Sequence, residues 1–446
     1  MLSSLHRRRL VALQRWGVAV AVYLVAVFHR TSLGVAGLQA ASRFGISPSQ
    51  LSIFVLLQLG VYAAMQIPTG LLVDRYGPRR LLIVAALTMG VAQSMFALAH
   101  NYPLALLARS LLGLGDALTF VSVLRFAAGQ FAPRRYPVVV AITGTLGSIG
   151  NVVATVPLAV LLHDAGWTPT FLAAGLLSLV SGVAVYLMLP KARPVPRAPV
   201  GSVDAASMAD GLRRVGRRVR SAWSLAGTRV GVWVHFTAMS TALMFGVLWG
   251  VPFMVQSQGL SRDQASTALL ASVLVGTAVG PLIGYLIGRH PASRVPIAIG
   301  SCLVTVLAWY LALALYSGPM PRPLLIALVL VTGTGGPVSG IGFSLARDYN
   351  GPGIVGTATG VVNVAGFVAA IASCLLTGWM LDLAGSAGWT LRAGYRLAFA
   401  VAVGVQLLGL VQMVRWWLRA RRGLLATLAV GGHVPVRIVR HRWDLS

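Results

Sequence analysis

Glutamate is missing from this chain of 446 residues, and lysine occurs once, as Lys191. Charged residues make up only 10% of the sequence, against about 25% in an ordinary soluble protein, which excludes a typical water-soluble domain. The two cysteines, Cys302 and Cys374, both fall inside apolar runs and exclude a disulfide framework and a cysteine metal site. No G-x-x-x-x-G-K-[ST] loop, metal-ligand cluster or nucleophile–base pair occurs, so nothing points to an enzyme, an ATP-driven pump or a resident cofactor. The apolar run after Arg15 is too long for the core of a cleaved signal peptide and has no small-residue cleavage site.

What is present is hydrophobic. Apolar residues reach 57%, and mean hydropathy is +0.80. Runs of about 20 apolar residues, enough to cross a bilayer as a helix, recur at 14–39, 50–73, 81–100, 103–130, 136–162, 167–189, 229–256, 264–288, 295–317, 323–345, 354–380 and 395–418. The class is therefore an all-α polytopic membrane protein with twelve transmembrane helices, and the lipid bilayer is its first partner.

The net charge of +27 would suggest nucleic acid in a soluble chain. Its placement argues otherwise. Counted through successive connections, 28 of the 36 basic residues lie on the side of the termini. Five (Arg43, Arg262, Arg322, Arg392 and Arg396) lie on the other, and Arg30, Arg109 and Arg125 lie within spans. The positive-inside rule puts both termini in the cytoplasm and requires an even number of spans. The excess of Arg over Lys suits a GC-rich bacterial genome, which places the chain in a bacterial inner membrane. The basic surface would also attract anionic lipid.

The chain repeats itself at an offset of 214 residues. Gly70-Leu71-Leu72-Val73-Asp74-Arg75-Tyr76-Gly77-Pro78-Arg79-Arg80 has a weaker copy starting at Gly284. That copy keeps Leu286 and Arg289 but has Gly288 in place of Asp74. Ser47-Pro48-Ser49-Gln50 and Ser261-Arg262-Asp263-Gln264 share the same offset, and each reads as a capping box opening a helix. Two matches at one offset indicate a duplicated half, the usual construction of a transporter. The division is a first six-span bundle over 1–190, a basic linker over 191–226, a second bundle over 227–420 and a basic, irregular tail over 421–446. The later part of the linker, with Leu212, Val215 and Val219 opposite arginines, reads as an amphipathic surface helix.

In the charged turn, Gly77 supplies the tight bend and Gly70 a site for close helix approach. Arg75, Arg79 and Arg80 surround Asp74, whose carboxylate can pair with a neighbouring helix end in one state and release it in another. At this point the chain resembles the major facilitator superfamily. Gly70, Leu72, Asp74, Arg75, Gly77 and Arg79 fall on that family's loop motif, with Pro78 departing where a basic residue is usual. Arg109, Gly113 and Gly115 resemble its second motif, R-x-x-x-G-x-G. The resemblance implies two pseudo-symmetric six-helix bundles that rock about a central site, with Gly284 and Arg289 as the second-half gate. The stretch Gly144–Asn151 lacks the Gly-Pro of proton-driven drug exporters.

Ionisable residues inside a bilayer are expensive and mark function. Asp116 is the one acid well inside a predicted span. It shares a helical face with Arg109 and Gly113, and is either a proton carrier or the fixed partner of Arg109, Arg125 or Arg30. Phe28-His29-Arg30-Thr31-Ser32 resembles the first span of organic-anion symporters, and in this superfamily that span lines the cavity. Arg30, with His29 beside it, is thus a candidate anion anchor or the structural partner of Asp116. Met244 occupies the position offset from Arg30, so the paired arginines of organophosphate exchangers are missing. Asn363 is a candidate substrate ligand or packing contact, and Trp249–Phe253 is expected to bend its helix. The expected function is proton-coupled uptake of a small organic anion by a monomer, with the proton gradient as driving force. A drug or metabolite exporter and a transport-inactive sensor or scaffold are the alternatives.

Overall fold

The computed structural model describes residues 2–131, 136–190, 205–350 and 354–431. These form helices α1 (Leu2–Thr31), α2 (Leu33–Phe44), α3 (Pro48–Tyr76), α4 (Pro78–Leu98), α5 (Tyr102–Ala117), α6 (Thr119–Gln130), α7 (Tyr136–Val153), α8 (Val156–Asp164), α9 (Trp167–Met188), α10 (Ala205–Ser224) and α11 (Ala226–Met244). Then follow α12 (Gly250–Pro252), α13 (Arg262–Arg289), α14 (Arg294–Leu315), α15 (Arg322–Gly333), α16 (Gly335–Ser339), α17 (Ile341–Tyr349), α18 (Val355–Ser386) and α19 (Leu391–Ala429). No strand occurs among the described residues. Among the described residues twelve helical stretches are long and apolar enough to cross a membrane, one for each predicted span. Helices are the expected solution, because lipid offers the backbone no hydrogen-bond partners.

Local chemistry sets the ends. Ser47 accepts the Gln50 N–H while the Gln50 side chain accepts the Ser47 N–H, and Pro48 opens α3. Ser261 and Gln264 make the same reciprocal pair before α13. Gly77 ends α3 at a φ of 81°, which an L side chain rarely adopts. α19 runs to Ala429, into the stretch expected to be irregular from 421. The Leu424, Leu425, Ala426 and Leu428 run favours helix and carries the last span onward.

The helices pack as two compact units. Of the described residues, one holds those within 1–196, 245–273 and 377–392, and the other those within 197–244, 274–376 and 393–446. The first is centred on Trp16, Val20, Leu82, Met89, Leu112 and Phe126. A second aromatic nucleus joins Phe44, Phe54, Phe96, Trp167 and Phe171 through edge-to-face and tilted rings. The second unit is centred on Val234, Ala238, Cys302, Ile341, Leu345 and Met413. Across it, Thr241 donates to Gln406 Oε1 at 2.8 Å and Trp309 to Thr332 at 2.9 Å.

Five spans are interrupted: the first at Ser32, the fourth at Leu118, the fifth at Ala154–Thr155 and the tenth at Thr334 and Gly340. The seventh carries two π-helical turns, Phe245–Trp249 and Phe253–Ser257, on either side of the expected bend. Spans 1, 4, 7 and 10 recur at every third position, with two spans between each pair. Broken helices of this kind form the sites of transporter folds.

Candidate substrate and coupling site

The breaks in spans 1 and 4 place two charges together. Ser32 Oγ donates to the His29 carbonyl at 2.9 Å and Thr31 Oγ1 to the Val27 carbonyl at 3.0 Å. Across from them, Thr119 Oγ1 donates to the Asp116 carbonyl at 2.7 Å. Hydroxyls bonded back onto the preceding turn compete with the helical ladder and open it. At these openings Arg30 Nε and Nη2 donate to the two Asp116 oxygens at 2.8 and 2.7 Å. The fork is bidentate, the strongest form of this pair. The Arg30 side chain is 14% exposed and that of Asp116 is 0%. The guanidinium also lies 4.5 Å from the centre of the Tyr62 ring. Of the three candidate partners for Asp116, the structure therefore selects Arg30.

Arg109 is fully buried and donates to Gln58 Oε1, with its guanidinium 5.2 Å from the Phe96 ring. Gly113 explains how Gln58 comes within reach. A Cβ there would overlap the Gln58 backbone, so its absence lets α3 lie against α5. Gly115 does the same for α4, facing Met89 and the Ala85 carbonyl. The R-x-x-x-G-x-G spacing thus buries one arginine between two closely approaching helices. His29 Nε2 shares a hydrogen bond with Ser178 Oγ at 2.6 Å. Buried Arg109 Nε and Nη1, His29 Nδ1 and both polar atoms of Gln93 have no partner among the described residues.

The other candidates are dispersed. Arg125 is exposed on α6. Asn363 lies half-buried on α18 in the other unit and makes no side-chain hydrogen bond among the described residues. In the charged turn, Arg79 donates to the Tyr186 carbonyl at 2.7 Å and stacks on its ring, and Arg75 stacks on Tyr76. Arg80 is exposed. The Asp74 side chain lies outside the described residues. Among the described residues no helix lies close against Gly70. A Cβ there, or at Gly284, would meet nothing within 4 Å, because no described neighbour crosses α3 or α13 at those points. Arg289 donates to the Tyr285 hydroxyl at 2.7 Å on its own helix.

Sequence reasoning missed Asp382. Its carboxylate accepts the Ser47 hydroxyl and the Ser49 N–H, both at 3.1 Å, at the start of α3. Gly378, one turn earlier on α18, faces the Pro48 carbonyl and Ser52 Oγ so closely that a Cβ would lie 2.6 Å from both. The signal was present in a different form. With nine acids in the whole chain, each needs an account.

Comparison with known proteins agrees with this architecture. The sequence model of the Major Facilitator Superfamily matches residues 19–374 and 234–443. Among curated proteins, the chain is 28% identical to the probable sulfoacetate transporter SauU of Cupriavidus necator. That alignment spans 36% of this chain and 38% of that protein. It is 22% identical to the probable galactarate/D-glucarate transporter GudP of Escherichia coli K12, over 90% of this chain and 94% of that one. Among solved structures, an inward-facing, unoccupied bacterial homologue of the human lysosomal transporter Spinster superposes with a TM-score of 0.72. It has 13% identity over 92% of this chain and 98% of that one.

Proposed function

The chain belongs to the Major Facilitator Superfamily, and from that premise we propose that it is a secondary active transporter for the proton-coupled uptake of a small organic anion. The bundles at 1–190 and 227–420 rock about a central site, the protein works as a monomer in a bacterial inner membrane, and both termini are cytoplasmic. Asp74 and its arginines form the cytoplasmic gate. Arg30 anchors the substrate, and Asp116 couples it to the proton.

The observation that carries this reading is the bidentate Arg30–Asp116 pair at the facing breaks of two spans. A carboxylate already sits in the arginine fork in the geometry a substrate carboxylate would use. An incoming anion that takes the fork displaces Asp116, and an unpaired charge at that depth is costly. Asp116 then leaves the charged state by taking a proton, which links anion binding to proton binding. Sulfoacetate, galactarate and D-glucarate, named for the two curated relatives, are all anions bearing carboxylates. Asn363 on α18 is a further polar residue that we assign to substrate binding.

Thermal unfolding in detergent tests the reading, using small carboxylates, sulfonates, inorganic anions and lipophilic cations on wild type and Arg30→Ala. Carboxylates are expected to stabilise the wild type by several degrees and to have no effect on Arg30→Ala. Stabilisation by lipophilic cations that survives in Arg30→Ala would replace anion uptake with the exporter reading.

A further inference from the structure

Arginines crowd one end of the second unit with few carboxylates to answer them. α10 gives way to α11 at Leu225, and Ala222 anchors α10 by packing in one buried cluster with Val232 and Ala346. Farther along α11, Gly409 of α19 rests on Phe236 and Thr237. From that crossing the two helices bring Arg229 and Trp416 together. The Arg229 guanidinium lies 5.5 Å from the Trp223 ring and 4.4 Å from the Trp416 ring, and Arg419 covers Trp416 at 4.7 Å.

Arg229 Nε donates to the Trp223 carbonyl at 2.7 Å. Its two terminal nitrogens, and the whole Arg419 guanidinium, have no hydrogen-bond partner among the described residues. Arg217, Arg218 and Arg220 are exposed on the adjoining turns of α10. Asp348, the one carboxylate described in this unit, is held by Arg294 and lies 3.8 Å from Arg347. Among the described side chains, no carboxylate pairs with Arg229 or Arg419.

Stacking on indole fixes the plane of a guanidinium and leaves its N–H edge free, which suits a phosphate. The neighbours identify where that phosphate comes from. Trp223 is 41% exposed and Leu225 37%, so apolar surface lies beside the free N–H edges. Tryptophan beside arginine at the end of a span is the arrangement of a membrane interface, and basic residues there attract anionic headgroups. An aqueous phosphate would leave that apolar surface in water. We propose that Trp223, Arg229, Trp416 and Arg419, with the exposed arginines of α10, bind the phosphate of an anionic phospholipid. The inference requires that the chain be embedded in a bilayer and is independent of the transport substrate.

The test uses the full chain, stripped of lipid in detergent and offered phosphatidylglycerol, phosphatidylcholine or inorganic phosphate. Native mass spectrometry counts retained lipid, and thermal unfolding reads stabilisation. Phosphatidylglycerol is expected to be retained at least fivefold over phosphatidylcholine. Arg229→Gln with Arg419→Gln should bring the two to parity, while Arg262→Gln with Arg322→Gln, exposed arginines outside the cluster, should leave the preference intact. If the double variant fails to fold, Arg419→Gln alone should at least halve the preference, because that side chain is exposed and its loss leaves the core untouched. Equal retention of the two lipids by the wild type would overturn the proposal. So would equal loss in the Arg262/Arg322 control, an Arg419→Gln variant that keeps the full preference, or stabilisation by inorganic phosphate matching that by phosphatidylglycerol.

Discussion

Arg30 and Asp116 are unequal partners. Asp116 is fully buried, whereas Arg30 keeps 14% of its side chain accessible. Removing one member of a buried pair costs about 3–5 kcal/mol, because the other is left uncompensated. Arg30→Ala should therefore destabilise by about that amount, and Asp116→Asn by less, since the exposed edge of Arg30 can still find water. The double variant should lose less than the sum of the singles, and a double-mutant cycle in denaturant unfolding measures the difference. Additive losses would mean that the two side chains do not answer each other. Both residues were legible in the sequence, because a charge within an apolar run stands out. Their pairing was not. Asp116 lies seven residues from Arg109 on the same helical face, so local spacing favoured Arg109 as much as an arginine 86 residues away. What decides is Gln58, which is brought against Arg109 by the bare backbone of Gly113 and satisfies one of its donors. No periodicity in a single helix reports that approach.

At the scale of the element, the start of α3 shows which contacts a sequence reveals. Its capping box joins residues three apart and was readable as Ser-x-x-Gln. Asp382, which accepts from the same turn, is 335 residues away from Ser47 and had no local signature. A carboxylate at a helix N-terminus gains from both its hydrogen bonds and the aligned peptide dipoles, together about 1 kcal/mol at an accessible site. Asp382→Ala should thus speed hydrogen exchange at Ser49 and the following amides roughly fivefold, and leave the amides in the middle of α9 unchanged. Unchanged exchange at Ser49 would show that the capping box alone holds this helix end. The interruptions in the spans follow the same division. The irregular stretch around Trp249–Phe253, flanked by π-helical turns, carried a signal in Gly250 and Pro252, whereas the breaks after His29 and Asp116 depend on hydroxyl groups that sit equally well in unbroken helices.

Over the whole molecule, charge and packing divide the chain in different ways. Duplication at an offset of 214 splits the sequence at the linker, and the twelve spans read from hydropathy all appear as helices. Packing instead assigns residues 245–273 and 377–392 to the unit that contains the first six spans. Hydropathy records what faces lipid along the chain and carries no information about which neighbours a helix end acquires. The distribution of arginine makes a separate claim, since 28 of 36 basic residues fall on the side of the termini. Insertion leaves clustered positive charge on the cytoplasmic face, so orientation should follow that asymmetry. Both native cysteines are buried and should stay silent to a thiol reagent. In intact cells a membrane-impermeant maleimide should label Arg262→Cys and Arg322→Cys, exposed on the sparsely charged side, and should reach Arg217→Cys only after permeabilisation. Labelling of Arg217→Cys in sealed cells, with Arg262→Cys protected, would invert the topology. The α10 arginines would then face the outer leaflet, and the directions assigned to both the gate turn and the substrate would reverse with them.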